Sequence, residues 1–207
     1  MHLSKVQSVI RRKISKQGST YYSGDDSVKG VLLKGEYRRF LTNHFLVTHY
    51  NATLNSGEII SRGNDAYVPL KTDKTNVRDA DMYQRTFLLP VNASGDLKSY
   101  VDQSIASRDV WDLPIGTEGT DFGWVVQKTG VKVHFDNISM RGDESEIGVL
   151  QKTIYHVYMP WSVNASYTPL PESRFTDRNG KDWKIEDVDD RTYINEAYLL
   201  QVSLDER

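Results

Sequence analysis

The sequence predicts a mainly β protein: one or two small β barrels, a short N-terminal helix and one inserted helix. Three observations carry that prediction. Apolar and polar residues alternate through much of the 207-residue chain, which is the period-two signature of half-buried strands. Turn-forming clusters such as "RGND" and "RNGK" separate the alternating runs. Twelve Tyr and four Trp supply residues with an apolar body and a polar tip, suited to pleated, half-covered surfaces and subunit contacts.

The elements follow in order. Residues 3–17 read as an amphipathic helix, because Leu3, Val6, Ile10 and Ile14 recur at helical spacing and Gly18 ends the run. Strands are expected near Val31–Leu33 and through Phe45–Tyr50. Ile59–Ser61 and Ala66–Leu70 flank the turn "RGND". The segment from Thr72 to Asp81 is polar and aperiodic, and reads as a connecting loop available for docking. "MYQRTFLLPVN" is a strand that ends at Pro90, where the missing N–H is tolerated. Leu97, Tyr100, Val101 and Ile105 fall at helical spacing and predict the inserted helix over 96–107. "GWVVQKTGVKVHFDNISM" reads as a hairpin turning at Lys128–Gly130, and "VLQKTIYHVYMPW" as a further strand. The closing hairpin turns on Asn179-Gly180, for which a type I′ turn with positive φ at both residues is expected.

Two stretches resemble each other. Tyr67 falls against Trp183 at an offset of 116, and "FLLPV" (Phe87–Val91) against "YLLQV" (Tyr198–Val202) at an offset of 111. The period does not hold across the pair, so duplication stays open. Each stretch runs from a polar turn to an aromatic-bearing strand, then a charged loop and a return strand, a plan used in small barrels. The last strand is expected to close such a barrel. These readings divide the chain into 1–92, the N-terminal helix plus a first barrel unit; 93–124, a connecting helix and loop; and 125–207, a second β unit ending in a C-terminal hairpin.

The chemistry-bearing patterns are missing from the sequence. It has no Gly-x-Ser-x-Gly, no phosphate loop, no Gly-x-Gly-x-x-Gly and no His-Glu-x-x-His. Without cysteine there is no disulfide framework, thiolate metal site or thiol nucleophile, which suits a reducing compartment. His44 and His49 are five apart on a strand and point to opposite faces. "EDVDD" at Glu186–Asp190 lacks the glycine and the ligand alternation of a helical calcium loop, and reads as a solvated hairpin loop. No catalytic, cofactor-binding or metal-binding residue is assigned, and no cofactor is expected. The sequons at Asn51, Asn92, Asn137 and Asn164 and the "RGD" at Arg141–Asp143 read as chance products of common residues. The amino terminus never runs more than two apolar residues together and reads as neither a secretory signal nor a span.

Charge is unevenly placed. Residues 1–40 hold nine Lys/Arg against three Asp/Glu, and residues 172–207 hold six against ten. Either these are solvated surfaces, or the basic end docks on an acidic partner, a second copy included.

"GEIISRGNDAYVPLKTDKTNVRDADMYQRTFLLPVN" and "SRFTDRNGKDWKIEDVDDRTYINEAYLLQVSLDER" resemble the strand, short turn, aromatic strand, variable loop and long strand of tailed-bacteriophage neck proteins, the head-closure (stopper) and head–tail connector families. The resemblance implies a structural protein of the virion, assembled in the host cytoplasm and forming a homo-oligomeric ring in the neck. Its partners would be portal or adaptor and tail proteins, with genomic DNA only passing through the channel, no membrane and no enzymatic activity. The alternatives are a tail terminator, tail-tube or baseplate component, or a small β-rich enzyme or carbohydrate-binding module.

Overall fold

A computed structural model describes residues 3–34, 44–55, 57–77, 80–102, 122–136 and 154–205. The sequons' Asn137, the Arg141–Asp143 triplet and the second half of the expected inserted helix lie outside them. The chain forms α1 (Leu3–Gln17) and twelve strands, β1 (Ser19–Ser23), β2 (Asp26–Lys34), β3 (His44–His49), β4 (Ile60–Arg62), β5 (Asp65–Val77), β6 (Ala80–Pro90), β7 (Ala93–Asp102), β8 (Phe122–Asp136), β9 (Ile154–Pro160), β10 (Arg174–Asp177), β11 (Asp182–Asp189) and β12 (Ala197–Leu204). They build two closed antiparallel barrels, ordered β1-β2-β3-β6-β5-β4 and β10-β11-β12-β9-β8-β7. A mainly β, two-barrel fold with an N-terminal helix is what the alternation and turn signals predict.

The two barrels share one topology, strand for strand. In each, three consecutive strands form a meander, a second meander follows, and the third strand pairs with the sixth. The first and fourth strands close the ring, through Ser23 opposite Ile60 in one barrel and Leu97 opposite Phe175 in the other. Registers agree in detail. Tyr67 and Trp183 both lie two residues before a β-bulge, which leaves Leu70 extra in β5 and Glu186 extra in β11. Leu88 and Val202, both fully buried, sit opposite the last residue before each bulge. The Tyr67/Trp183 equivalence of the sequence therefore stands, but the match of "FLLPV" to "YLLQV" is three residues out of register. Phe87 corresponds to Gln201, because both pair with the residue just past the bulge.

Three other expectations are corrected. Residues 93–102 form strand β7 of the second barrel, not a helix. Leu97 is buried inside while Tyr100 is largely exposed, so the helical spacing reflected a bulged strand; of the expected connector 93–124, residues 93–102 and 122–124 belong to the second barrel and the rest lies outside the described residues. Residues 122–136 form one strand, not a hairpin. Gly130, at φ +63°, bends β8 at a bulge beside β7, which imitates turn chemistry in the sequence. The Thr72–Asp81 loop is instead the extended arm of the β5–β6 hairpin, with only 78–79 outside the described residues. The last strand does complete its barrel, as expected: β12 runs between β11 and β9 and, with the β7–β10 pairing, leaves no open edge.

The cores differ in chemistry. The second barrel is filled by an apolar set including Leu97, Val133, Val157, Phe175, Ile185 and Leu200. The first holds Tyr21, Leu46, Ile60 and Leu88, together with buried Thr48, Gln84 and Thr86. Gln84 donates to the Tyr50 carbonyl at 2.6 Å, and Thr86 pairs with Thr72 at 3.1 Å. Helix α1 packs across β2, β3 and β6, burying Ile14 and tying Gln7 to the Asp81 carbonyl at 2.7 Å. The Gly18 N–H closes its end on the Ile14 carbonyl.

A third apolar cluster joins the barrels. Val68, Leu70 and Leu89 on the outside of the first meet Tyr158 and Ala197 on the outside of the second, with Phe87, Val91, Tyr193 and Leu199 around them. Gly57 seats the rim of this contact. A Cβ there would lie 2.5 Å from the Trp161 Cβ and 2.8 Å from the Asn195 carbonyl. The Gly57 amide donates to Glu196, and its carbonyl accepts from Ser162. His134 bonds the Pro90 carbonyl at 2.7 Å across the junction.

The Asn179-Gly180 turn also departs from expectation. Only Gly180 has positive φ, +77°, and its N–H bonds the Asp177 carbonyl at 2.9 Å. This is a three-residue loop, a tight turn followed by a left-handed residue. Asp177 Oδ1 fixes it by accepting from the Asn179 and Lys181 amides. A Cβ at Gly180 meets nothing within 4 Å, so the cost of a side chain is conformational alone. Gly180→Val is expected to destabilise by about 1–3 kcal/mol, read as a lowered urea midpoint; an unchanged midpoint would mean the loop relaxes freely.

Burial lowers the His134 pKa from its usual 6.5, against the opposing pull of its bond to Pro90 and of nearby Asp136. The folded form therefore favours the neutral ring, while the unfolded chain takes up a proton at higher pH. Stability is full above pH 6.5 and declines as pH falls below it toward the folded value. Urea midpoints measured from pH 7.5 to 5.5 should fall, and His134→Gln should flatten that slope. An equal slope in the variant would assign the titration to another group.

Candidate interaction surfaces

The two equivalent turns, β4–β5 and β10–β11, come together beside the 91–94 linker and border an open cleft of about 460 Å³. Asn64, Arg178 and Asn179 come from the turns, Asn92 from the linker, Lys132 from β8, and Asp177 from the end of β10. A second depression of about 350 Å³ continues past Asn92 to Phe135, Tyr155 and Trp183. Those three rings pack with centroids 4.7–5.6 Å apart, and Lys181 Nζ lies 4.4 Å over Trp183.

Much of this polarity is already engaged. The Asn92 side chain donates to the Phe135 carbonyl and accepts from the Phe135 amide, completing the β8 ladder as a backbone group would. Both Asp177 oxygens accept bonds, Oδ1 from the turn amides and Oδ2 from the Trp183 indole at 3.4 Å. An incoming molecule would meet the cations Lys132 and Arg178, two turn asparagines and aromatic edges. That set recognises a polar or anionic surface. Trp183 itself is only 6% exposed, so its face is not offered as a sugar platform. Among the described residues the exposed tyrosines, Tyr22 and Tyr100, belong to different barrels.

The β7–β8 arm offers a second surface. Tyr100 lies across from Trp124 with ring centroids 5.2 Å apart, and Val101 and Val126 are exposed nearby. Trp124 is held by the Arg174 guanidinium, 4.0 Å from its ring. Arg174 is fixed in turn by Asp205 at 2.6 Å and Asp182 at 3.5 Å. Charge pairing of this kind, partly buried, orients an aromatic that would otherwise be free to rotate.

The acidic run is not a loop. Glu186–Asp189 lies within β11, and its carboxylates are largely spent. Glu186 accepts from Ser203 and approaches Lys184, which also binds Glu172 at 2.7 Å. Asp189 caps the following turn through the Arg191 and Thr192 amides, and its bond to the Thr192 hydroxyl is the largest influence holding its carboxyl below the usual range. Among the described residues no three His, Asp or Glu gather as a metal site. His44 and His49 stand on alternate faces of β3, His44 beside the Tyr67 ring at 5.7 Å and His49 against Asn51.

No family model, curated protein or solved structure matches this chain.

Proposed function

We propose that the chain is a structural component of a tailed-bacteriophage virion, a ring-forming protein of the head–tail neck that links the portal to the tail. The observation that carries the reading is the tandem of topologically identical barrels joined through one apolar contact. Such a body is a rigid wall element, with function placed on turns and arms. The long β5–β6 and β7–β8 hairpins extend past the short closing strands β4 and β10, and reach outward as docking arms would. The resemblance of both β4–β6 and β10–β12 stretches to neck proteins agrees with this plan.

The physics of the proposal is heterologous assembly. Copies meet head to tail, and the ring closes when the rotation divides a full turn. Exposed Tyr100, Val101 and Val126 on the β7–β8 arm supply apolar anchors, and rim charges steer the approach. Contacts of this size are weak singly and become sufficient when a template ring raises the local concentration of neighbours. Light scattering of the purified chain should give a monomer or weak oligomer alone, and a defined ring on a portal complex. A stable dimer that ignores every virion component would overturn the reading.

A further inference from the structure

Helix α1 spends one face on the first barrel and leaves the other uncovered. Its buried line runs through Gln7, Ile10 and Ile14. Opposite it, Lys5, Arg12 and Lys16 recur at spacings of seven and four, all exposed, with exposed Val9 between them and Lys13 alongside. Positions i, i+4, i+7 and i+11 stack on one side of a helix, so this row is about 16 Å long at 1.5 Å per residue. The helix contains no acidic residue, and among the described residues no ion pair engages its cations.

We propose that the outward face of α1 is a contact for the phosphodiester backbone of nucleic acid, made by Lys5, Arg12 and Lys16 with Lys13 beside them. A straight row of unpaired cations fits a polyanion whose charges are closely and regularly spaced, because some phosphate lies within reach of each cation in almost any register. The rival partner from the same chain, the acidic run of β11, fits poorly. Glu186 and Asp189 are engaged within their own barrel and Asp190 pairs with Arg191 at 3.9 Å, which leaves Asp187, among the described residues, to face four cations. A lipid surface fits less well still, since the apolar face that would enter it is packed on β2, β3 and β6. The contact carries no sequence information, because it engages phosphates and not base edges. It stands whether or not the chain forms a ring; in a ring, several such helices would act together.

The test is fluorescence anisotropy of a labelled 30-base-pair duplex with the full chain at 50 and 200 mM salt. Three phosphate contacts predict a fall in affinity of about 40-fold across that range, from the counterion-release slope. Lys5→Gln, Arg12→Gln and Lys16→Gln combined should weaken binding at 50 mM salt by about tenfold or more and flatten the salt dependence. Circular dichroism and the melting temperature should stay unchanged. Wild-type affinity in the α1 triple variant would overturn the proposal. So would tighter binding of the wild type to phosphatidylserine vesicles or to polyglutamate than to the duplex.

Discussion

Everything else in this molecule depends on the apolar contact between the two barrels. A six-stranded barrel this small fills its interior with its own side chains, so the outside of its wall is left to hold a second body. Here β5, β6, β9 and β12 are buried on both faces for part of their length. Val68 and Leu89 point outward yet are fully buried, as is Ala197, while Tyr158 is nearly so. The bulge after Pro69 is the device that makes this possible. It leaves Leu70 unpaired and places it in the contact, and restores the alternation so that Thr72 faces in toward Thr86. The equivalent bulge in β11 presents Glu186 instead, which binds Ser203 and stays out of the junction. One topological feature, used twice, thus gives an adhesive wall in one barrel and a polar wall in the other.

The contact also sets where functional surfaces lie. With β6 running into the linker and on into β7, the equivalent turns β4–β5 and β10–β11 converge on one side and enclose the polar cleft. Gly57 locks the rim by donating its amide to the Glu196 carboxylate and accepting from the Ser162 amide, in a space that a Cβ at position 57 would crowd. The hairpin arms extend from this body, while α1 lies along the first barrel on β2, β3 and β6. Burial of His134 and Tyr158 at this junction pushes both toward their neutral forms, His134 downward and Tyr158 upward.

Most of the fold was legible because the signals were local. The helix over 3–17, the turn at Gly63 and the strands around Leu46, Tyr67, Leu88 and Val157 follow from periodicity and turn chemistry. Where the sequence misled, bulges were responsible. At β7 two register shifts around Leu97 broke the period-two pattern into one that mimics a helix. At β8 the bend at Gly130 mimicked a hairpin. The repeat was visible at Tyr67 and Trp183, but offsets that shift from 116 to 114 between equivalent strands hid the correct alignment of Phe87. The cleft could not be read at all, since it joins residues from several elements far apart in sequence. The basic character of the amino-terminal end was visible as a count of charges; that the cations of α1 form one outward row without ion pairs among the described residues needed the structure.

The central claim is that the barrels are one cooperative unit held by this contact, and the tryptophans make it measurable. All four lie after residue 93, so their fluorescence reports the second half, whereas far-ultraviolet circular dichroism reports both barrels. In equilibrium urea unfolding the two signals should trace one transition. Leu89→Ala, a cavity in the first barrel's outer wall costing about 2–5 kcal/mol, should shift both midpoints down together. A biphasic dichroism curve, with a tryptophan midpoint unmoved by Leu89→Ala, would contradict the account.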